Sequence, residues 1–349
     1  MGSRNRNKPG HGYHFPDIIR SLGGQALKEN VVTQTDSLAR ITPGVQETAS
    51  FGHYLSRLII SLRTTLSAYL ALLKVRSAVL NSVSALMGAF LASGGGIPGD
   101  TMLVLASSVG LAAAGSGAVN SYLDRDIDRI MQRTSHRPLP IGAIKPAEKA
   151  LYVGISLIGI GLFISALWLS LPATLFIALG AAIYIFIYTL WLKRKTPWSV
   201  VVGGLAGSCA LLAGWFAITS EFGPAPLFFS VFIFLWTPGH FWGLAIKTKE
   251  DSERANIPTL PTVYGERTAS KWVALSNLAL LLFSIIPYAL GILGQAYLFI
   301  SLIIGLIVLI ANINLYLAPT AQKAWLMFKL SSPYLIIVFL AAAVDILLM

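Results

Sequence analysis

From about residue 71 onward the chain is a succession of nine apolar runs, near 71–93, 102–123, 151–170, 172–192, 199–219, 226–246, 272–293, 296–317 and 328–348. Each has roughly the twenty residues an α-helix needs to cross a hydrocarbon core. A backbone polar group in lipid has no water to bond, so segments of this kind cross as helices. The fold class that follows is all-α, an integral membrane bundle of about nine transmembrane helices. The charges agree with that count. All 26 Lys and Arg residues lie up to Arg76, at the very start of the first run, or in and at the edges of the loops after runs two, four, six and eight, and the alternate loops hold none. Cytoplasmic loops are the ones enriched in basic residues. The expected orientation therefore puts the N-terminus in the cytoplasm and the C-terminus outside, which requires an odd number of spans. On this reading the net charge of +11 reflects topology, and no nucleic-acid partner is expected.

The chain divides accordingly. Residues 1–50 are polar, lack a long apolar run and read as a disordered cytosolic arm; no apolar stretch follows the basic start, so a secretory signal is not expected. Residues 51–70 carry Leu55, Leu58, Ile59, Leu62 and Leu66 beside Arg57 and Arg63, the pattern of an amphipathic helix lying on a membrane surface. Residues 71–349 form the membrane domain. A single cysteine, Cys209, excludes an intrachain disulfide and a cysteine-based metal cluster.

Chemistry gathers at the charged ends of the runs. After run two stands Asn120-Ser-Tyr-Leu-Asp124-Arg-Asp126-Ile-Asp128, then Arg133 and Arg137. Asn120, Asp124 and Asp128 are spaced i, i+4, i+8 and share one helical face, from which Asp126 points away. Carboxylates one turn apart repel, and a divalent cation relieves that. Oxygen ligands suit Mg²⁺, which takes one or two carboxylates together with substrate phosphates, and arginines receive the same phosphates in bidentate fashion. The loop after run six repeats the plan with Trp236, His240, Lys247, Glu250 and Asp251. Two acidic and basic clusters on one membrane face read as two halves of one site, the first metal on Asn120, Asp124 and Asp128, the second on Asp251 and Glu250, with Lys247 and Asp251 paired at i, i+4. The loop after run four adds Lys193 and Arg194, cations suited to a diphosphate leaving group. His240 lies between Trp236 and Trp242 within an apolar run, where a histidine is a functional candidate by default. Gly203, Gly204 and Gly207 in run five read as sites of close helix packing.

With these residues in view, Asn-x-x-x-Asp-x-x-x-Asp followed by Arg133-Thr-x-x-Arg137-Pro-Leu-Pro resembles the UbiA superfamily of intramembrane prenyltransferases. Within it, Trp236-Thr-Pro-Gly-His240-Phe-Trp, Ile257-Pro-Thr-Leu-Pro and Tyr188-Thr-Leu-Trp-Leu-Lys193-Arg194-Lys-Thr-Pro resemble haem O synthases, also called protoheme IX farnesyltransferases. The chain has Gly239 where that family usually has proline, Ser252 where it has tyrosine and Asn256 where it has glycine. The resemblance implies a UbiA-type bundle with a cytoplasmic-side active-site cavity and Mg²⁺-dependent transfer of a prenyl group, farnesyl in the first place, from a prenyl diphosphate to protoheme. It implies haem B as substrate rather than cofactor, membrane lipid around the chain, and a haem O-processing enzyme or oxidase assembly factor as partner. It places the chain in a prokaryotic plasma membrane. On this reading Asp124, Asp128, Arg137 and Lys193 are catalytic, while Asn120, Arg133, Arg194, Trp236, His240 and Lys247 bind substrate. Two other readings share part of the pattern: a related enzyme acting on a quinone precursor or a glycerol phosphate lipid, and a cation transporter. The transporter is disfavoured because the acids lie on one face, with Asp100, Glu221 and an isolated Asp345 the exceptions.

Overall fold

A computed structural model describes residues 43–348. Most of the arm expected at 1–50 lies outside the described residues. Helix α1 (Pro43–Leu72) covers the segment expected on the membrane surface and begins before it, with a proline whose fixed φ suits a first helical turn. The chain separates into two units, up to Thr64 and from Thr65 onward. In the first, Leu58, Ile59, Ile60 and Leu62 of α1 are exposed.

In the second unit, nine helical segments among the described residues are long and apolar enough to cross a membrane. They are α2 (Val75–Ser93), α3 (Gly99–Leu123), α5 (Glu148–Trp168), α6 (Leu171–Ala182) with its π-helical extension Ile183–Leu192, α7 (Ser199–Gly203) with α8 (Leu205–Ile218), α9 (Pro224–Lys247), α11 (Leu260–Phe283) with α12 (Ile286–Ala289), α13 (Gln295–Leu317) and α14 (Ala321–Leu348). Two short helices, α4 (Arg125–Ile130) and α10 (Lys249–Arg254), occupy the two acidic loops. The seventh span begins ahead of the expected 272: a short turn opens at Leu260, where Thr259 and Thr262 form a reciprocal capping box that satisfies free amides, and the long helix follows the non-helical Gly265 (φ 81, ψ 161). Its opening turns carry Glu266, Arg267 and Lys271, so hydropathy alone discards them. The ninth starts at Ala321 rather than 328, its first turn carrying Gln322 and Lys323, which hydropathy also discards.

Spans one to five pack chiefly on one another, as do six to nine, and α8 against α9 joins the two groups. Lipid tails are as apolar as leucine, so helix association here relies on close backbone approach rather than on hydrophobic burial. A Cβ at Gly214 of α8 would collide with the backbone of Ala85 in α2, and one at Gly115 of α3 with the Gly154 carbonyl of α5. The glycines expected to mediate packing do so against side chains: Gly203 faces the Tyr188 ring, Gly204 faces Thr237 and Gly207 faces Ile233. Between α9, α13 and α14 lies an aromatic core that includes Phe229, Phe232, Tyr297 and Tyr334, all below 2% exposed.

Asp345, isolated in the sequence, is not isolated in the fold. Its carboxylate accepts from the backbone N–H of Gly294, the residue that caps the N-terminus of α13. The helix dipole and the free amides of a first turn favour an anion there. Asp345→Ala is expected to lower stability by about 1–2 kcal/mol, read as an earlier melting transition in detergent. An unchanged transition would remove the capping role.

Candidate active site

Helix α3 ends at Leu123, and Asp124 kinks (φ −92, ψ 4) before α4 begins. The hydrogen-bond ladder nevertheless runs through: Asp124 N bonds Asn120 O at 2.9 Å and Asp128 N bonds Asp124 O at 2.8 Å. The i, i+4, i+8 register therefore survives the kink. Asn120, Asp124 and Asp128 are all buried, at 3%, 1% and 3% exposure. Asp126 turns outward and is held by Arg194 through two bonds of 2.7 Å, which pull its carboxyl down to about 2.

The buried face is saturated with cations. Lys193 Nζ lies 2.5 Å from Asp124 Oδ2, and Arg137 Nη1 lies 2.9 and 3.1 Å from the two oxygens of Asp128. Asn120 links the set, since its Nδ2 donates to Asp124 Oδ2 at 2.8 Å and to Thr189 Oγ1 at 3.0 Å. Its Oδ1 accepts from Lys74 Nζ. One carboxylate oxygen is left over: Asp124 Oδ1 is buried and has no hydrogen-bond partner. A buried polar atom without a partner calls for an explanation, and for a carboxylate oxygen beside other oxygen ligands a bound cation supplies one.

Lys74 and Thr189 are the two members that sequence reasoning missed. Lys74 sits in a left-handed residue (φ 48) between α1 and α2, and in the sequence it resembles any cation flanking a span. Thr189 is a single hydroxyl in an apolar run. It is aimed by the π-helical turn, in which its Oγ1 donates to the carbonyl of Tyr184, five residues back, at 2.7 Å. Wide turns of this kind recur at functional sites. Burial, with Arg137 and Lys193 close by, lowers the Lys74 ammonium to about 7, although Asp124 and Asp128 pull the other way. The unfolded chain then keeps a Lys74 proton between pH 7 and about 10 that the folded chain has released, so stability rises with pH across that window. Lys74→Met is expected to flatten the rise. Melting transitions at several pH values in donor-free detergent measure it, and parallel curves for the two proteins would rule out a depressed Lys74.

The second acidic loop brings one of its two expected residues, Asp251, against the first loop. Asp251, buried, accepts from the backbone N–H of Gln132 at 2.8 Å and of Arg133 at 3.1 Å, and Arg254 caps Oδ1. These bonds hold its carboxyl low despite burial. Asp251 thus binds the loop that follows Asp128, and the two loops do form one assembly. Glu250 is exposed and is not drawn into it. Nor does Lys247 pair with Asp251: Lys247 is exposed, and the Asp251 carboxylate is already taken by the Gln132 and Arg133 amides and by Arg254. The Arg133 side chain is exposed and makes no hydrogen bond. Among the described residues, no three His, Cys, Asp or Glu side chains come together as a preformed metal cluster. Asn256, where the resembled family has glycine, adopts φ 51, a left-handed conformation that asparagine tolerates better than most residues.

Beyond Thr189 opens a cavity of about 500 Å³ lined by Leu123, Arg125, Asp126, Arg129, Thr189, Leu190 and Arg194. Arg194 thus lines the cavity wall rather than the buried acidic face. Trp236 and His240 lie deeper along α9. Their rings stack at 4.5 Å between centroids, and Trp236 Nε1 donates to the Ser331 carbonyl at 2.8 Å.

A profile of the UbiA prenyltransferase family matches residues 81–333. A protoheme IX farnesyltransferase of Metallosphaera sedula is 40% identical over 280 residues, which are 80% of this chain and 96% of that one. One of Desulforudis audaxviator is 40% identical over 243 residues, covering 68% of this chain and 75% of that one. Among solved structures, a digeranylgeranylglyceryl phosphate synthase superposes with a TM-score of 0.69 at 23% identity, covering 82% of this chain and 99% of that one. A UbiA homologue from Archaeoglobus fulgidus bound to DMAPP and Mg²⁺ gives 0.59 at 16% identity, covering 79% and 99%. The structural likenesses establish the fold, and the sequence relatives establish the lineage. By motif, register and architecture alike, the chain belongs to the UbiA prenyltransferase family.

Proposed function

We propose that this chain transfers a farnesyl group from farnesyl diphosphate to a vinyl group of protoheme, giving haem O. The observation that carries the reading is the buried Asn120–Asp124–Asp128 face, ringed by Lys74, Lys193 and Arg137 at the charged end of the bundle. It is a site for a polyanion rather than for an ion in transit. The donor set also fits Mg²⁺: the ligands are hard oxygens, and Asp124 Oδ1 is a buried carboxylate oxygen with no partner. Asn120, Asp124 and Asp128 would hold the ion, which when bound supplies Lewis-acid neutralisation of the diphosphate.

The chain's own cations act on the same charge. Lys193 and Arg137 stand on the carboxylates, placed to turn onto diphosphate oxygens as these arrive, while Arg133 has a guanidinium free for the same role. Such preorganised cations stabilise the charge that develops on the leaving diphosphate. The allylic C–O bond breaks with its electron pair on the diphosphate. The vinyl π pair then forms the new C–C bond, and water adds to the resulting cation with loss of one proton. The apolar spans exclude water until that last step. Asp251 positions the Gln132–Arg133 segment, while Trp236 and His240 supply the aromatic wall against which a flat acceptor packs. The cationic end faces the cytoplasm of a prokaryotic cell, the side from which a soluble donor arrives. The haem O product passes to a haem-processing enzyme or an oxidase under assembly.

Acceptors such as a quinone precursor or a glycerol phosphate lipid are the alternative within the family. The likeness to the digeranylgeranylglyceryl phosphate synthase is one of fold and does not favour them. Mass spectrometry of haems from a host that lacks its own haem prenylation tests the reading. A hydroxyfarnesyl adduct that depends on this chain is expected. Unmodified haem B in a membrane that holds the folded protein would overturn it.

A further inference from the structure

His240 sits in α9 seven residues before Lys247, roughly 10 Å along the helix axis from its charged end. It is buried, at 8% exposure, and its ring stacks on Trp236 at 4.5 Å and on Phe328 at 4.3 Å. Its one polar contact is Nδ1 with Ser331 Oγ of α14, at 2.5 Å. That oxygen makes a second bond, to the backbone carbonyl of Phe328 at 2.8 Å. A hydroxyl has one proton and a carbonyl can only accept, so the Ser331 proton is committed to Phe328. The bond to the imidazole then runs the other way, with Nδ1–H donating to Ser331 Oγ. A neutral imidazole carries a single N–H, which leaves Nε2 as a bare lone pair. Among the described residues nothing bonds it. The Ser331 carbonyl meanwhile accepts from Trp236 Nε1, so one residue of α14 fixes both members of the Trp236–His240 stack.

We infer that Ser331 is a positioning residue that locks His240 in its Nδ1–H tautomer and presents Nε2 as an axial ligand to the iron of a metalloporphyrin. This rests on the reading that protoheme is the acceptor, and it adds a role for His240 that the prenyl chemistry does not require. A ligating histidine whose other nitrogen donates to an acceptor is held in orientation and made more basic by that bond. The tautomer also excludes a competing role, because a bare Nε2 cannot donate to a haem propionate.

Two measurements on the full-length protein test it. ¹⁵N NMR of the histidine-labelled, substrate-free protein, assigned with His240→Gln, is expected to place the proton on Nδ1 and leave Nε2 bare. In Ser331→Ala the His240 signals should move toward a tautomer mixture. Resonance Raman of ferrous protoheme added to the same proteins is expected to show an iron–histidine stretch that is absent in His240→Gln and shifted to lower frequency in Ser331→Ala. A change confined to packing would not move that band in a set direction. A proton on Nε2, or a haem spectrum indifferent to His240→Gln, overturns the inference even if haem O is made. If haem neither binds nor is prenylated, both the inference and the acceptor assignment fall.

Discussion

Asp124→Ala is expected to lower prenyl transfer by about 10³-fold or more while the protein still reaches the membrane, since it removes a charge placed at the reacting centre. Three facts converge on this side chain. It is the most buried of the three motif residues at 1% exposure, one of its oxygens already binds Lys193, and the other has no partner. Substitution has a structural side effect that must be separated from the catalytic one. With the carboxylate gone, the Lys193 ammonium is left beside a largely buried wall, a loss of about 1–3 kcal/mol. The double variant Asp124→Asn with Lys193→Met removes both charges and is expected to recover most of that stability without recovering turnover. Steady-state kinetics on purified protein, with melting transitions alongside, distinguish the two effects. If Asp124→Ala turned over within tenfold of the native rate, Asp124 would not belong to the diphosphate site.

What could be read in advance, and what could not, follows from the range of the interactions. The face carrying Asn120, Asp124 and Asp128 was visible because a helix repeats locally and its ladder survives the bend at Asp124. Nine spans were visible because lipid imposes one length on all of them. Lys74 and Thr189 were not visible: each reaches Asn120 across 46 and 69 residues of chain, and neither has a local pattern to give it away. The expected Lys247–Asp251 pair failed because spacing does not reveal competing partners: the Asp251 carboxylate goes to two amides more than a hundred residues away and to Arg254. Asp345 shows the same limit from the other side. Alone by sequence, it finds its partner in the Gly294 amide, 51 residues away, where α13 begins.

The same logic recasts Asp251, for which the sequence expectation was a metal ligand and the fold provides protein partners on both oxygens. Asp251→Asn is the informative change, because an amide keeps the shape but has only one accepting oxygen. It cannot take N–H groups from both Gln132 and Arg133, and its own NH₂ must face one of them. Hydrogen bonds to a charged acceptor are worth about 1.5–3 kcal/mol each, so losing even one is enough to shift local opening of the segment at least about tenfold. In metal-free, donor-free protein, trypsin is therefore expected to cut after Arg133 at least about tenfold faster in Asp251→Asn than in the native chain. Prenyl transfer should fall in parallel, through an Arg137 no longer held on Asp128 and an Arg133 whose backbone is no longer fixed. A role limited to metal ligation predicts the opposite for the metal-free digest, namely equal cleavage rates, with a difference emerging only when Mg²⁺ and diphosphate are added. Equal rates would return Asp251 to the ligand set, whereas faster cleavage makes it the brace that lets two distant loops act as one site.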